Sequence, residues 1–119
     1  MKTVYSAPQN LTAIELNEWL NSYLDKPLII DVRESMELDK AKLELTSIYI
    51  PMSKVSFDYV AEKLKNYSHR KFVIMCHMGI RSYNFGHYLL ENNFVEEVWN
   101  LSDGIDGWSK SVDSDIPLY

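Results

Sequence analysis

Lys71-Phe72-Val73-Ile74-Met75-Cys76-His77-Met78-Gly79-Ile80-Arg81-Ser82 is the stretch on which the reading of this chain turns. Its four consecutive apolar residues, Phe72 to Met75, fit a strand covered on both faces, because a strand with one wet face alternates apolar and polar positions. Polarity changes abruptly after Cys76. A glycine follows at Gly79, and beyond Arg81-Ser82 the apolar residues Tyr83, Phe85, Tyr88, Leu89 and Leu90 predict a helix over Tyr83 to Asn92, with Ser82 as its cap. Strand, tight turn and helix N-terminus together gather successive backbone N–H groups around one point and favour an anion there. Cys76 can supply that anion, since a helix N-terminus and a nearby cation both favour the thiolate, the reactive form of cysteine. Gly79 lets the loop curl without a Cβ in the way, and Arg81 offers a permanent charge to an oxyanion. A lone cysteine at the end of an apolar strand is more often a small buried hydrophobe. It is the whole loop that points to chemistry.

Working outward, Leu28 to Val32, Ser47 to Ile50 and Val95 to Leu101 read as further strands. Thr12 with Glu15 three residues on forms a capping box, which predicts a helix running to about Asp25 before the breaker Pro27. Trp19 lies on its apolar side and reads as core. Phe57 to Asn66 reads as another helix, capped by Ser56, and Trp108 belongs to a short final one. Gly86 would cost about 1 kcal/mol relative to alanine in an exposed helix, which implies close packing where it sits. Met1 to Asn10 has no periodicity and contains Pro8, so it reads as a surface arm. His69-Arg70-Lys71 reads as an exposed turn. Strands alternating with helices over 1–119 predict a single α/β domain with a small, open, mainly parallel sheet flanked by helices. In such sheets ligands bind off the carboxyl ends of the strands, where Cys76 lies.

Composition narrows the function classes. With 46% apolar and 24% charged residues in 119, the chain matches a globular protein with one core. The net charge of −5 disfavours nucleic acid and anionic membranes as partners, since both need a basic face. One cysteine cannot form a disulfide within the chain, and no stretch reaches the length of a membrane span or reads as a signal peptide, so a reducing, cytoplasmic setting is expected. Cys76, His77 and His87 lack the paired spacing of a zinc site, so no metal is expected.

The loop Cys76-His77-Met78-Gly79-Ile80-Arg81-Ser82 resembles the active-site loop of single-domain rhodaneses, the sulfurtransferase family, whose usual form is Cys-x-x-Gly-x-Arg-Ser or Thr. Other stretches agree in order: Asp31-Val32-Arg33-Glu34 followed by Glu37, Ile50-Pro51, Asn100 to Trp108, and the closing Ile116-Pro117-Leu118-Tyr119. The resemblance spans nearly the entire chain. It departs between Glu34 and Thr46, where a family stretch with glycines and a histidine is absent, and at Ser102-Asp103-Gly104, which has one glycine where two adjacent ones are usual.

The resemblance implies a rhodanese-like fold and a two-step sulfur exchange in which Cys76 takes a sulfane sulfur from thiosulfate or a persulfide and passes it to a thiol or cyanide. Loop residues His77 to Ser82 would hold the persulfide, with Asp31 and Arg33 supporting the loop, Glu37 at the pocket mouth and the Asp103-Gly104 turn nearby. No cofactor is implied. A sulfur-relay protein or thiol reductant is the partner class. Cysteine phosphatases of related fold place one residue more between cysteine and arginine than the four here, His77 to Ile80, which favours a single sulfur over a phosphate. A non-catalytic binding or sensing module is the other reading, against which the intact Cys76, Gly79 and Arg81 stand. A redox role would need a second thiol from outside the chain.

Overall fold

A computed structural model describes residues 5–119, so the first four residues of the expected arm lie outside the described residues. Five strands form one sheet: β1 (Gln9–Leu11), β2 (Leu28–Asp31), β3 (Thr46–Tyr49), β4 (Phe72–Met75) and β5 (Trp99–Leu101). They lie in the order β1-β5-β4-β2-β3, and every pairing is parallel. The helices are α1 (Ala13–Leu20), α2 (Ser35–Leu38), α3 (Phe57–Leu64), α4 (Ile80–Glu91) and α5 (Gly104–Ser111), with a 3-10 turn at Met52–Lys54. This is the open α/β architecture with a parallel sheet flanked by helices that the alternating pattern predicts.

Side-chain alternation divides the core between the two faces of the sheet. Ile29, Val73 and Met75 pack with Leu16 of α1 and Ile105 and Trp108 of α5. On the other face Ile30, Phe72, Ile74 and Cys76 pack with Val60 of α3 and Phe85 and Leu89 of α4. β4 is buried along its whole length because both faces are covered, which is why it reads as an unbroken apolar run. Trp19 is partly buried against the first cluster and meets Trp99 edge-on, with ring centroids 5.0 Å apart.

Local signals set the helix starts. Both hydrogen bonds of the Thr12–Glu15 box form, at 2.9 and 3.2 Å, although α1 stops at Leu20 rather than near Asp25. The Ser56 hydroxyl accepts the Tyr59 N–H at 3.2 Å, as its capping role predicts. Two expectations need correction. Gln9 and Asn10 are not part of an arm: they sit in β1, whose Gln9 N–H donates to the Val98 carbonyl at 2.9 Å. Three residues are too few to show a period. Likewise α4 begins at Ile80, with Gly79 in the left-handed region (φ 98°) as its cap, so Ser82 lies inside the helix and does not cap it.

The order of the sheet creates the site. From β2 the chain moves outward to β3, and from β4 it moves the opposite way to β5, so the loops leaving β2 and β4 part and open a crevice at their carboxyl ends. Cys76 follows β4 directly, and Val32, just past β2, donates its N–H to the Met75 carbonyl at 3.0 Å.

Gly86 repays its helix cost through packing, as a Cβ there would lie 2.7 Å from Pro8 Cγ and 3.4 Å from Val98 Cγ1. Gly86→Ala, which would stabilise an exposed helix, is therefore expected to destabilise this protein by about 1–3 kcal/mol. Urea unfolding of the two proteins checks the sign.

Candidate active site

Cys76 is almost enclosed, 1% exposed, yet its sulfur faces polar groups. Gly79 donates its N–H to Sγ at 3.1 Å, and the Ser82 hydroxyl oxygen lies 3.2 Å from Sγ. Ile80, Arg81 and Ser82 supply the opening N–H groups of α4, which by helix geometry lack intrahelical acceptors. A sulfur-centred anion at this position meets the positive end of a twelve-residue helix.

The turn between β5 and α5 clamps the loop from outside. Ile105 and Asp106, in the first turn of α5, donate their N–H groups to the carbonyls of Cys76 (3.0 Å) and His77 (3.2 Å). The approach is so close that a Cβ on Gly104 would lie 2.0 Å from the His77 carbonyl oxygen. One glycine therefore suffices at this turn, and the expected proximity of Asp103-Gly104 to the site is what the structure has.

Arg81 is not a free charge. Its two terminal nitrogens each lie 2.7 Å from one carboxylate oxygen of Glu37, a bidentate pair. Glu37 also accepts the Glu34 N–H at 2.9 Å and the Tyr119 hydroxyl at 3.1 Å. Glu37 thereby ties α2 to α4. The Arg81 hydrogen bond chiefly, with those of Glu34 and Tyr119, outweighs burial and lowers the Glu37 carboxyl to about 2.

Asp31 and Arg33, both fully buried, pair with each other at 2.9 Å rather than touching the cysteine loop. Arg33 donates onward to the Tyr119 hydroxyl at 2.9 Å, so the support they give reaches the loop through Tyr119, Glu37 and Arg81. His77 does not simply face solvent: its ring lies flat on Tyr119, with centroids 3.9 Å apart and planes 10° apart. Met78 and Ile80 are 59% and 73% exposed and form the apolar rim. His87 meets Tyr83 edge-on in α4. Three residues escaped sequence reasoning. Asn10 stood in the supposed arm, and Tyr119 and Asn100 entered only as ends of resembling stretches, with no role given to either, though Asn100, a polar residue flanked by Val98, Trp99 and Leu101, is a readable signal. A cavity of about 760 Å³ near Lys65, His69 and Phe94 opens by Phe72, the far end of β4 from Cys76.

A parallel α/β sheet thus presents a single cysteine in a loop that opens a helix. Comparison with known proteins makes this specific. The family profile of the rhodanese-like domain matches residues 12–111, and the chain belongs to that family. It is 30% identical over 121 aligned residues to adenylyltransferase and sulfurtransferase UBA4 of Debaryomyces hansenii, covering 95% of this chain and 26% of that protein. It is 28% identical over 97 residues to rhodanese-like/PpiC domain-containing protein 12, chloroplastic, of Arabidopsis thaliana, covering 82% of this chain and 32% of that one. The chain thus spans about a quarter to a third of these relatives. Among solved structures, a rhodanese-like domain protein from Staphylococcus aureus superposes with a TM-score of 0.68 at 23% identity, over 93% of this chain and 98% of that one.

The lowered Glu37 carboxyl predicts an acid-dependent stability. Because the folded value lies below the ordinary 4.5, the contribution is complete above that pH and is lost as pH falls toward about 2. Glu37→Gln is expected to lose stability at neutral pH and to lack this part of the acid dependence, as read from urea midpoints across the window. Parallel curves for the two proteins would refute the assignment.

Proposed function

We propose that this chain is a sulfurtransferase that carries a sulfane sulfur on Cys76. The observation that carries the reading is the Gly79 N–H aimed at Sγ from 3.1 Å, at the N-terminal end of a twelve-residue helix. A cradle of four residues between Cys76 and Arg81 suits a single added sulfur better than a phosphate. The sulfurtransferase named among the relatives adds weight, while its adenylyltransferase activity belongs to a protein of which this chain spans only 26%.

In the first step the Cys76 thiolate attacks the outer sulfur of a persulfide, R–S–SH, or of thiosulfate. A new S–S bond forms, the donor's S–S bond breaks, and its electron pair leaves with R–S⁻ or sulfite. The product is a Cys76 persulfide whose terminal sulfur takes the position favoured by the loop amides. In the second step an acceptor thiol or cyanide attacks that terminal sulfur and the Cys76 thiolate departs, which makes the kinetics ping-pong. Neither step draws on a metal or cofactor. Met78 and Ile80 at the rim suit a thiol carried on an apolar surface, so a sulfur-relay protein or thiol reductant is the partner proposed. Such a free thiol belongs in a reducing compartment such as the cytoplasm. No helix among the described residues is long and apolar enough to cross a membrane.

Intact-protein mass after incubation with thiosulfate, or with a persulfide donor, tests the proposal. One added sulfur that cyanide removes is expected in the wild type and not in Cys76→Ser. No gain with either donor would sink it.

A further inference from the structure

The polar groups behind Cys76 form a line whose direction is fixed at one end. The Gly79 carbonyl oxygen can only accept, so the Asn100 side chain, 3.1 Å away, must turn its Nδ2 toward it. The other Nδ2 hydrogen goes to Asn10 Oδ1 at 3.0 Å. Asn100 Oδ1 therefore faces Ser82, and at 2.5 Å it takes the one proton that the Ser82 hydroxyl owns. What Ser82 turns toward Sγ at 3.2 Å is a lone pair. That arrangement gives a thiol, which keeps the Gly79 N–H as a donor to sulfur, an acceptor for its S–H at Ser82 Oγ, whereas a thiolate would have the Gly79 N–H but no donor from Ser82. Cys76, Ser82 and Asn100 are each at most 2% exposed, so bulk water does not replace a missing donor. Arg81, in the first turn of the same helix, gives its hydrogen bonds to Glu37 rather than to sulfur.

We propose that Asn100 is a positioning residue for the chemistry of Cys76. By holding the Ser82 proton it keeps Ser82 as an acceptor for the resting thiol, and the nucleophile is released when that hydroxyl turns from Asn100 to sulfur. In this step the S–H bond breaks and its proton passes to solvent base. The O–H bond of Ser82 stays intact and exchanges one acceptor, Asn100 Oδ1, for another, Sγ. The device acts before any donor binds and so goes beyond the sulfur-transfer reading.

Cys76 is the one cysteine of the chain, so its S–H stretch is a single infrared band. The band of the wild type is expected at the lowered frequency of a donating thiol, and in Ser82→Ala it is expected to move up. Asn100→Leu, which removes the competing acceptor, is expected to raise the rate of iodoacetamide alkylation at neutral pH about tenfold, a factor within reach of one hydrogen bond to an ionised partner. Ser82→Ala added to Asn100→Leu is expected to abolish the gain. A loop that had merely loosened would stay fast in the double variant, and that result overturns the proposal. So does an S–H band indifferent to Ser82→Ala, a readout that needs only the loss of one hydroxyl and stands even if Asn100→Leu does not fold.

Discussion

Two loops meet closer than side chains allow, and the site depends on that approach. Gly79, in the loop after β4, lies where a Cβ would be 2.2 Å from the Ser102 carbonyl oxygen, and Gly104, in the turn after β5, lies where one would be 2.0 Å from the His77 carbonyl oxygen. Both glycines also hold left-handed backbone, with φ of 98° and 64°. The reciprocal contact lets the first amides of α5 bond the Cys76 and His77 carbonyls. With its carbonyls held outward, the cysteine loop directs an N–H inward at sulfur. Two neighbouring parallel strands, β4 and β5, fix the relative height of the two loops, so the geometry of the sheet becomes the geometry at the thiol.

A second layer of support runs through charge. Asp31, Arg33, Tyr119, Glu37 and Arg81 form a continuous line of hydrogen-bonded groups from the end of β2 to the start of α4. Each member compensates its neighbour, which is the condition under which buried charges are tolerated. Tyr119 is the pivot of this line: one hydroxyl accepts from Arg33 and donates to Glu37, while the ring covers His77, the residue after the nucleophile.

What the sequence disclosed follows from how local each signal is. Cap chemistry and the apolar run of β4 are decided within a few residues, so Thr12, Ser56 and Phe72 to Met75 were legible. The strand of three residues at β1 and the four-residue α2 are too short to show a period. The start of α4 was misplaced because a glycine caps it, and a glycine offers no side chain to signal a cap. Charge pairing is long-range: nothing near Arg81 in the chain announces Glu37, and nothing near Arg33 announces Tyr119. Asp31, Arg33 and Glu37 are candidates through the family resemblance alone, and the partners through which they act lie beyond any local signal.

The engagement of Arg81 changes how the loop can work. A guanidinium held by both oxygens of one carboxylate at 2.7 Å has much of its charge offset by that partner, although it still feels Cys76 electrostatically. The acidic balance of the chain, −5 overall, adds no attraction of its own. The hydrogen bonding available to negative charge on sulfur comes from the Gly79 amide of the loop and from the orientation of one hydroxyl. These act only at contact distance and only on an atom seated in the loop. Selectivity in such a site comes from fit and hydrogen-bond direction, and Arg81 serves it by holding α2 against the helix whose N-terminus faces the thiol.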